Sequence, residues 1–203
     1  MKTKLTLLFI AVASFFVQAQ NTEACTETLS LMSTSVKAKD VTAYDYLTTL
    51  RKDCPSFHKS IYTLGEFAVK LKIEKATTPQ DKKKNVSDLL KLYDEHDQYF
   101  PGNGAGNKMK KGLVLFENKV GTTDEVFQLL DVAFKTDYAN FKYAKAMYVY
   151  FEILVNNHKA NKGVELQQVF DKYDDISKKL DVEEKELSEE NDTFLTKEEA
   201  GQV

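Results

Sequence analysis

Tryptophan is absent from this chain, and its 203 residues hold only three prolines, eight glycines, three histidines and two cysteines. So few turn-forming residues exclude an architecture of many short strands joined by tight turns and leave room only for long elements, hence helices. Histidine and cysteine are too sparse and too scattered to form a zinc-type set, and neither cysteine sits in a C-x-x-C pair. No serine or cysteine lies in a nucleophile elbow. Cations are not in excess either: the formal net charge is −3, against the strongly basic balance of a nucleic-acid binder.

What is present begins at the amino end. Lys2 and Lys4 precede an apolar run from Leu5 to Val17, followed by Val17-Gln18-Ala19, the pattern of a secretory signal peptide with a small-residue cleavage site. The run is shorter than the ~20 residues that span a bilayer, and no second apolar stretch follows. Residues 1–19 are therefore expected to be removed, leaving a chain that begins at Gln20 and has no transmembrane segment. Loss of Lys2 and Lys4 takes the net charge to −5. The roughly 184 residues that remain exceed the common domain size of ~100–150, which fits one elongated domain or a compact one with a tail.

In an oxidising compartment the two remaining cysteines read as a disulfide. Cys25, Leu29, Met32 and Val36 form one helical stripe, and Ala43, Leu47, Leu50 and Cys54 form another, mirrored about Lys39-Asp40. Two antiparallel helices joined there bring the start of the first beside the end of the second, with both sulfurs facing inward. Closing a loop of about 29 residues is worth roughly 3.6 kcal/mol by the chain-entropy argument.

Downstream, Pro55 ends that pair and Ser56 can cap a helix whose apolar face is Phe57, Ile61, Leu64, Ala68 and Leu71. Thr78-Pro79 reads as N-cap and first turn of another, with Asp81 in its first turn and Val86, Leu89, Leu90, Tyr93 and Phe100 on one face, ending at Pro101. A glycine-rich loop over 101–106 precedes a helix carrying Met109, Leu113 and Phe116. Thr123 with Asp124 and Glu125 announces the next, striped by Val126, Leu130, Ala133 and Phe134. The stretch from Phe141 to Val155 is apolar on nearly every side and is expected to be the most enclosed helix. The last helix aligns Leu166, Val169, Phe170, Tyr173, Ile176 and Leu180. From Asp181 charge dominates. Leu180, Leu187 and Phe194 fall seven apart, but the alternate heptad position is charged, so residues 181–203 read as a charged helical extension or a disordered tail rather than a strong coiled coil. The domain is accordingly bounded at 20–180, and Gly201-Gln202-Val203 ends without a structural stop.

The segments Val86–Tyr93, Val126–Phe134 and Leu166–Tyr173 start about 40 residues apart, the period of stacked helical hairpins; an irregular helical bundle is the alternative. The run Tyr62-Thr63-Leu64-Gly65-Glu66, then Asn85-Val86-Ser87-Asp88-Leu89-Leu90-Lys91-Leu92-Tyr93-Asp94 and Tyr99-Phe100-Pro101, resembles the N-terminal region of exported tetratricopeptide-repeat-type proteins of Gram-negative bacteria. The resemblance implies an assembly scaffold or partner-binding module, although Ala68 stands where a repeat tyrosine is expected and the repeat's tryptophan and late proline are missing. If the natural chain is longer, further repeats would lie beyond Val203.

Candidate chemistry is thin. In Asp94-Glu95-His96-Asp97 adjacent side chains diverge by about 100° around a helix, so the cluster reads as a solvated face rather than a ligand set. His58 and His158 stand alone near helix ends. Gly102, Gly104 and Gly106 lack the preceding strand and the full spacing of a phosphate loop and read as an interhelical link. Lys82-Lys83-Lys84 and Lys108, Lys110 and Lys111 read as ordinary surface charge. Tyr143, Tyr148 and Tyr150, each an apolar body with a polar tip, could line a partner groove or pack the core. The reading is an all-α protein: a disulfide-linked helix pair, then antiparallel helices stacked or bundled, then a charged tail. It is expected to be a periplasmic or secreted, non-enzymatic interaction or scaffold module with a protein partner in the cell envelope, no cofactor, no metal and no nucleic acid, and Tyr143, Tyr148 and Tyr150 as partner-binding residues. A helical binder of a small apolar ligand or cell-wall fragment is the alternative. The sequence leaves the oligomeric state open.

Overall fold

The computed structural model describes residues 22–199, with side chains described as far as Ser188, and every regular element among them is helical. The signal-peptide segment and the final Gly201-Gln202-Val203 lie outside the described residues. Where the sequence suggests one domain over 20–180, the described residues divide into two compact units, one ending at Asn103 and the other beginning at Gly104.

Unit 1 contains α1 (22–37), α2 (Ala43–Asp53), α3 (Ser60–Glu74) and α4 (Pro79–Tyr99). The turn between α1 and α2 falls at Lys39, whose φ of +53° reverses the chain, and the Asp40 carboxylate accepts the Thr42 N–H at 3.0 Å. The two mirrored stripes meet as expected, and Cys25 and Cys54 are joined by a disulfide. Cys25, Met32, Ala43, Leu47 and Leu50 are buried, while Cys54, at the C-cap of α2, is half-buried. Thr78 caps α4 as its sequence announces, accepting the Asp81 N–H at 3.1 Å.

The start of α3 differs from expectation. Pro55 lacks an N–H and begins a turn that delays the helix to Ser60, whose N–H is accepted by His58 Nδ1 at 3.1 Å, so His58 caps the helix and Ser56 does not. This resets the buried face to Ile61, Tyr62, Gly65, Ala68, Val69 and Ile73, leaving Phe57 outside and Leu64 and Leu71 half-buried. Gly65 is required by the packing. A Cβ there would stand 2.7 Å from Leu47 Cδ1 and 3.3 Å from Leu92 Cδ2, so the leucines of α2 and α4 close directly onto the α3 backbone.

Unit 2 contains α5 (Asn107–Asn118), α6 (Thr123–Thr136), a 3-10 turn (Tyr138–Asn140), α7 (Ala144–Lys159) and α8 (Leu166–Glu199). Gly106 caps α5 in the left-handed region at φ +62°, where a Cβ would lie 2.8 Å from the Asn140 carbonyl oxygen. Its glycine thus serves close backbone packing. The cap of α6 is Thr122, one residue before the expected Thr123: its hydroxyl accepts the Glu125 N–H, and the Glu125 carboxylate accepts the Thr122 N–H at 2.6 Å. The sequence between 141 and 155 is not one helix, since the 3-10 turn precedes it and α7 starts only at Ala144; Phe141 is nevertheless fully buried.

Consecutive helices pack on one another, α2 on α3 and α3 on α4 in unit 1, and α5 on α6, α6 on α7 and α7 on α8 in unit 2. The 40-residue recurrence noted above falls on α4, α6 and α8. Helix α8 runs past position 180 without interruption, so the charged segment is a helical extension as far as Glu199.

Candidate interaction surfaces

Arg51 is the chain's only arginine among 28 basic residues. It stands seven residues after Tyr44 on α2 and faces Asp88 and Glu95, also seven apart, on α4; both spacings return to one helix face after two turns. The guanidinium donates Nε and Nη2 to Glu95 at 2.7 and 3.0 Å and Nη1 to Asp88 at 2.8 Å, and Tyr44 Oη donates to the same Asp88 at 2.8 Å. Lys72 Nζ lies 3.5 Å from the Tyr44 ring centroid. Burial pushes the Tyr44 hydroxyl up to about 12, with its bond to Asp88 adding to the shift. Burial works against the charged Arg51, yet the hydrogen bonds from Glu95 and Asp88 outweigh it and raise its pKa. Every charge here is spent within the fold, so the cluster is a clasp rather than a reaction centre. The sequence signal that could have found it was the lone arginine in register with a pair of acids.

The acidic run 94–97 is divided by the helix. Glu95 belongs to the clasp, Asp94 and Asp97 face outward, and His96 is 3% exposed, its ring stacked 5.2 Å from Tyr62 and edge-on to Phe100 at 6.2 Å. The expected solvated face is therefore corrected at His96, because α4 turns that position toward α3. Among the described residues no group of three His, Cys, Asp or Glu side chains could hold a metal ion. His158 Nδ1 lies 2.8 Å from the Val164 carbonyl oxygen and ties the α7–α8 connection.

The three tyrosines expected at a partner surface separate. Tyr143 caps α7 and is exposed, and Tyr148 is 63% exposed with its hydroxyl donating to Glu152 at 3.2 Å. Tyr150 is 1% exposed and packs against Phe127, Phe134 and Phe141, and its hydroxyl donates to Asp131 at 2.6 Å. Its burial overturns the partner-binding assignment for that residue, since a helix turns positions 148 and 150 about 200° apart. Tyr150→Phe is expected to cost about 1 kcal/mol through loss of the buried hydrogen bond, and Tyr148→Phe to stay within about 0.5 kcal/mol of the parent; urea unfolding of both variants measures the difference.

Two contiguous apolar surfaces remain. In unit 1 an open groove of about 570 Å³ lies between the α1–α2 turn and α3, floored by Val36, Ala43, Ala68 and Leu71 and overlooked by Phe67, which is 62% exposed. Lys39, Lys70, Glu74 and Lys75 rim it; Lys70 is paired with Glu66 at 2.6 Å, whereas neither Lys39 nor Lys75 has a carboxylate partner among the described residues. On α3, Leu71 lies at this groove rather than on the expected core face.

The second surface is on α8. The stripe expected to pack inward buries only Ile176, with Val169 half-buried, while Leu166, Phe170, Tyr173, Leu180 and Leu187 are exposed. The helix meets the unit through Ile176, through the Tyr173 ring 6.0 Å from that of Phe151, and through lysines. Lys172 Nζ lies 4.4 Å from the Phe134 ring centroid, Lys179 Nζ lies 4.7 Å from that of Tyr138, and Lys179 pairs with the buried Glu183 at 2.5 Å. Their long alkyl stems cover apolar surface while the charge rests on a ring or a carboxylate. The apolar ridge is thereby turned outward.

No known family, curated protein or solved structure matches this chain.

Proposed function

We propose that this protein is an exported, non-enzymatic interaction or scaffold module of the cell envelope, built from helical hairpins of the tetratricopeptide-like kind. The observation that carries the reading is the outward ridge of α8. Leu166, Phe170 and Tyr173 repeat at four- and three-residue spacing on one helix face, with Leu180 and Leu187 following at seven-residue steps, and exposed large apolar side chains grouped on one face mark docking sites because their hydration is relieved only by a partner. Tyr143 and Tyr148, also exposed, belong to the same unit and extend the surface available to a partner.

Export is supported by the Lys2, Lys4 and Leu5–Val17 pattern together with the Cys25–Cys54 disulfide, a bond that persists outside the reducing cytoplasm. Among the described residues no helix is long and apolar enough to cross a membrane. The alternative, a binder of a small apolar ligand, is favoured by one observation only: the unit 1 groove has a volume within the ordinary ligand-site range of ~300–1,000 Å³. Its open shape and cationic rim suit a segment of polypeptide better.

A photo-cross-linking residue placed at Phe170, and in a control at exposed Lys178, tests the reading in intact cells. A discrete protein adduct at 170 that is absent at 178, reproduced with both purified proteins, is the expected result. No protein adduct at 170, with an apolar small molecule retained by the chain in native mass spectrometry, would transfer the assignment to the ligand binder.

A further inference from the structure

The α8 ridge and the unit 1 groove are opposite in charge. Asp174 and Asp181 border the ridge on one side of the helix and Glu184 lies in line with it, with Lys178 and Lys185 one step further round; all are exposed. The groove presents Val36, Phe67 and Leu71 inside a rim of three lysines and one acid, Glu74, in which Lys39 and Lys75 have no carboxylate partner among the described residues. Leu166, Phe170 and Tyr173, at i, i+4 and i+7, have the spacing with which a helix seats its anchors in an apolar groove.

We propose that the α8 ridge of one copy docks in the lysine-rimmed groove of a second copy, joining copies of this chain head to tail. The proposal rests on the interaction-module reading and names the partner. The surfaces differ on the two partners, so the contact is heterologous: each added copy leaves one ridge and one groove unfilled, and assembly continues unless a rotation closes it into a ring. Pairing of α8 with α8 is the rival arrangement. It is disfavoured because the flank nearest the ridge is acidic on both copies, and like charges brought together there cost free energy that the Lys39 and Lys75 rim would instead recover.

Sedimentation velocity of the purified, oxidised chain over a hundredfold range of concentration tests the arrangement. The weight-average mass is expected to rise past the dimer, and raising salt from 0.05 to 0.5 M is expected to weaken association by about tenfold, since the rim and flank charges are exposed. Phe67→Glu spoils the groove and Phe170→Ser the ridge; both side chains are exposed, so both variants should keep the parent helix content and unfolding midpoint. Each variant alone is expected to weaken association at least tenfold, while an equimolar mixture forms a dimer that grows no further, because one good ridge and one good groove remain. A chain that stays monomeric up to about 1 mM would overturn the proposal. So would a closed dimer indifferent to Phe67→Glu, which would place α8 on α8. Either outcome leaves the interaction-module reading to be decided by its own cross-linking at Phe170.

Discussion

Replacing Cys25 and Cys54 together by serine is expected to lower the stability of unit 1 by about 3 kcal/mol, within the usual 2–5 kcal/mol for a native disulfide in a small domain. For a unit of this size that corresponds to a fall in melting temperature of roughly 12–24 °C. The bond closes a loop of 29 residues and ties the start of α1 to the end of α2, so cutting it restores most of the loop's freedom to the unfolded chain. In the folded chain the tether holds Cys25, and the same helix supplies Met32 to the core. Guanidinium unfolding of the parent with and without reductant, beside the double variant, measures the effect. Titration of the unreduced, denatured parent should find no free thiol. A transition that moves by less than about 0.5 kcal/mol on reduction would show that packing alone retains α1.

Arg51→Ala is expected to be nearly as damaging, at about 2–3 kcal/mol. The change removes three charge-assisted hydrogen bonds from two carboxylates whose side chains are only 22% and 19% exposed, leaving Asp88 the Tyr44 hydroxyl and Glu95 the looser Lys91 at 3.7 Å. Water reaching that remaining surface keeps the cost below that of a fully buried pair. Arg51→Lys should recover less than half of the loss, because an ammonium cannot reproduce the planar fork that spans Glu95 and Asp88. Lys52→Ala is the control: its side chain is 81% exposed and paired only with its neighbour Asp53 at 4.0 Å, and it should shift stability by less than about 0.5 kcal/mol. The clasp also sets an alkaline limit. The folded chain holds the Tyr44 hydroxyl up to about 12, and burial raises Tyr62 and Tyr150 further. Above the ordinary tyrosine value near pH 10 the unfolded chain ionises while the folded chain keeps these protons. Their contribution is therefore complete below about pH 10; that of Tyr44 is lost as pH rises toward 12, and those of Tyr62 and Tyr150 go on falling above it. Denaturant midpoints at pH 9 and pH 11 should differ less in Tyr44→Phe than in the parent, and an equal drop in both would refute the assignment.

Local signals were legible where one helix speaks for itself. The mirrored stripes about Lys39-Asp40 and the Thr78-Pro79 cap reappear in the structure, because periodicity, capping and turn chemistry are decided within a few residues. The errors came where the choice lay between two apolar faces. On α3, Phe67 and Leu71 look as fit for a core as Ile61 and Val69, and the delay of the helix to Ser60 together with the close approach at Gly65 decides between them. On α7 nothing in the local pattern separates Tyr148 from Tyr150, and only the aromatic cluster with Phe134 and Phe141 draws Tyr150 inside.

The sequence by itself determined that the chain is helical, where most helices start and stop, and which two cysteines meet, since each of these follows from short-range sterics, hydrogen bonding and helical period. Tertiary structure alone decided that the chain forms two compact units, that Arg51 closes a clasp on Asp88 and Glu95, and that α8 meets its unit in part through lysines over aromatic rings while its apolar ridge faces water. The physical reason is that an apolar stripe records only that burial is favourable. Which surface satisfies it, a neighbouring helix or another molecule, depends on the shape and charge of elements distant in the chain.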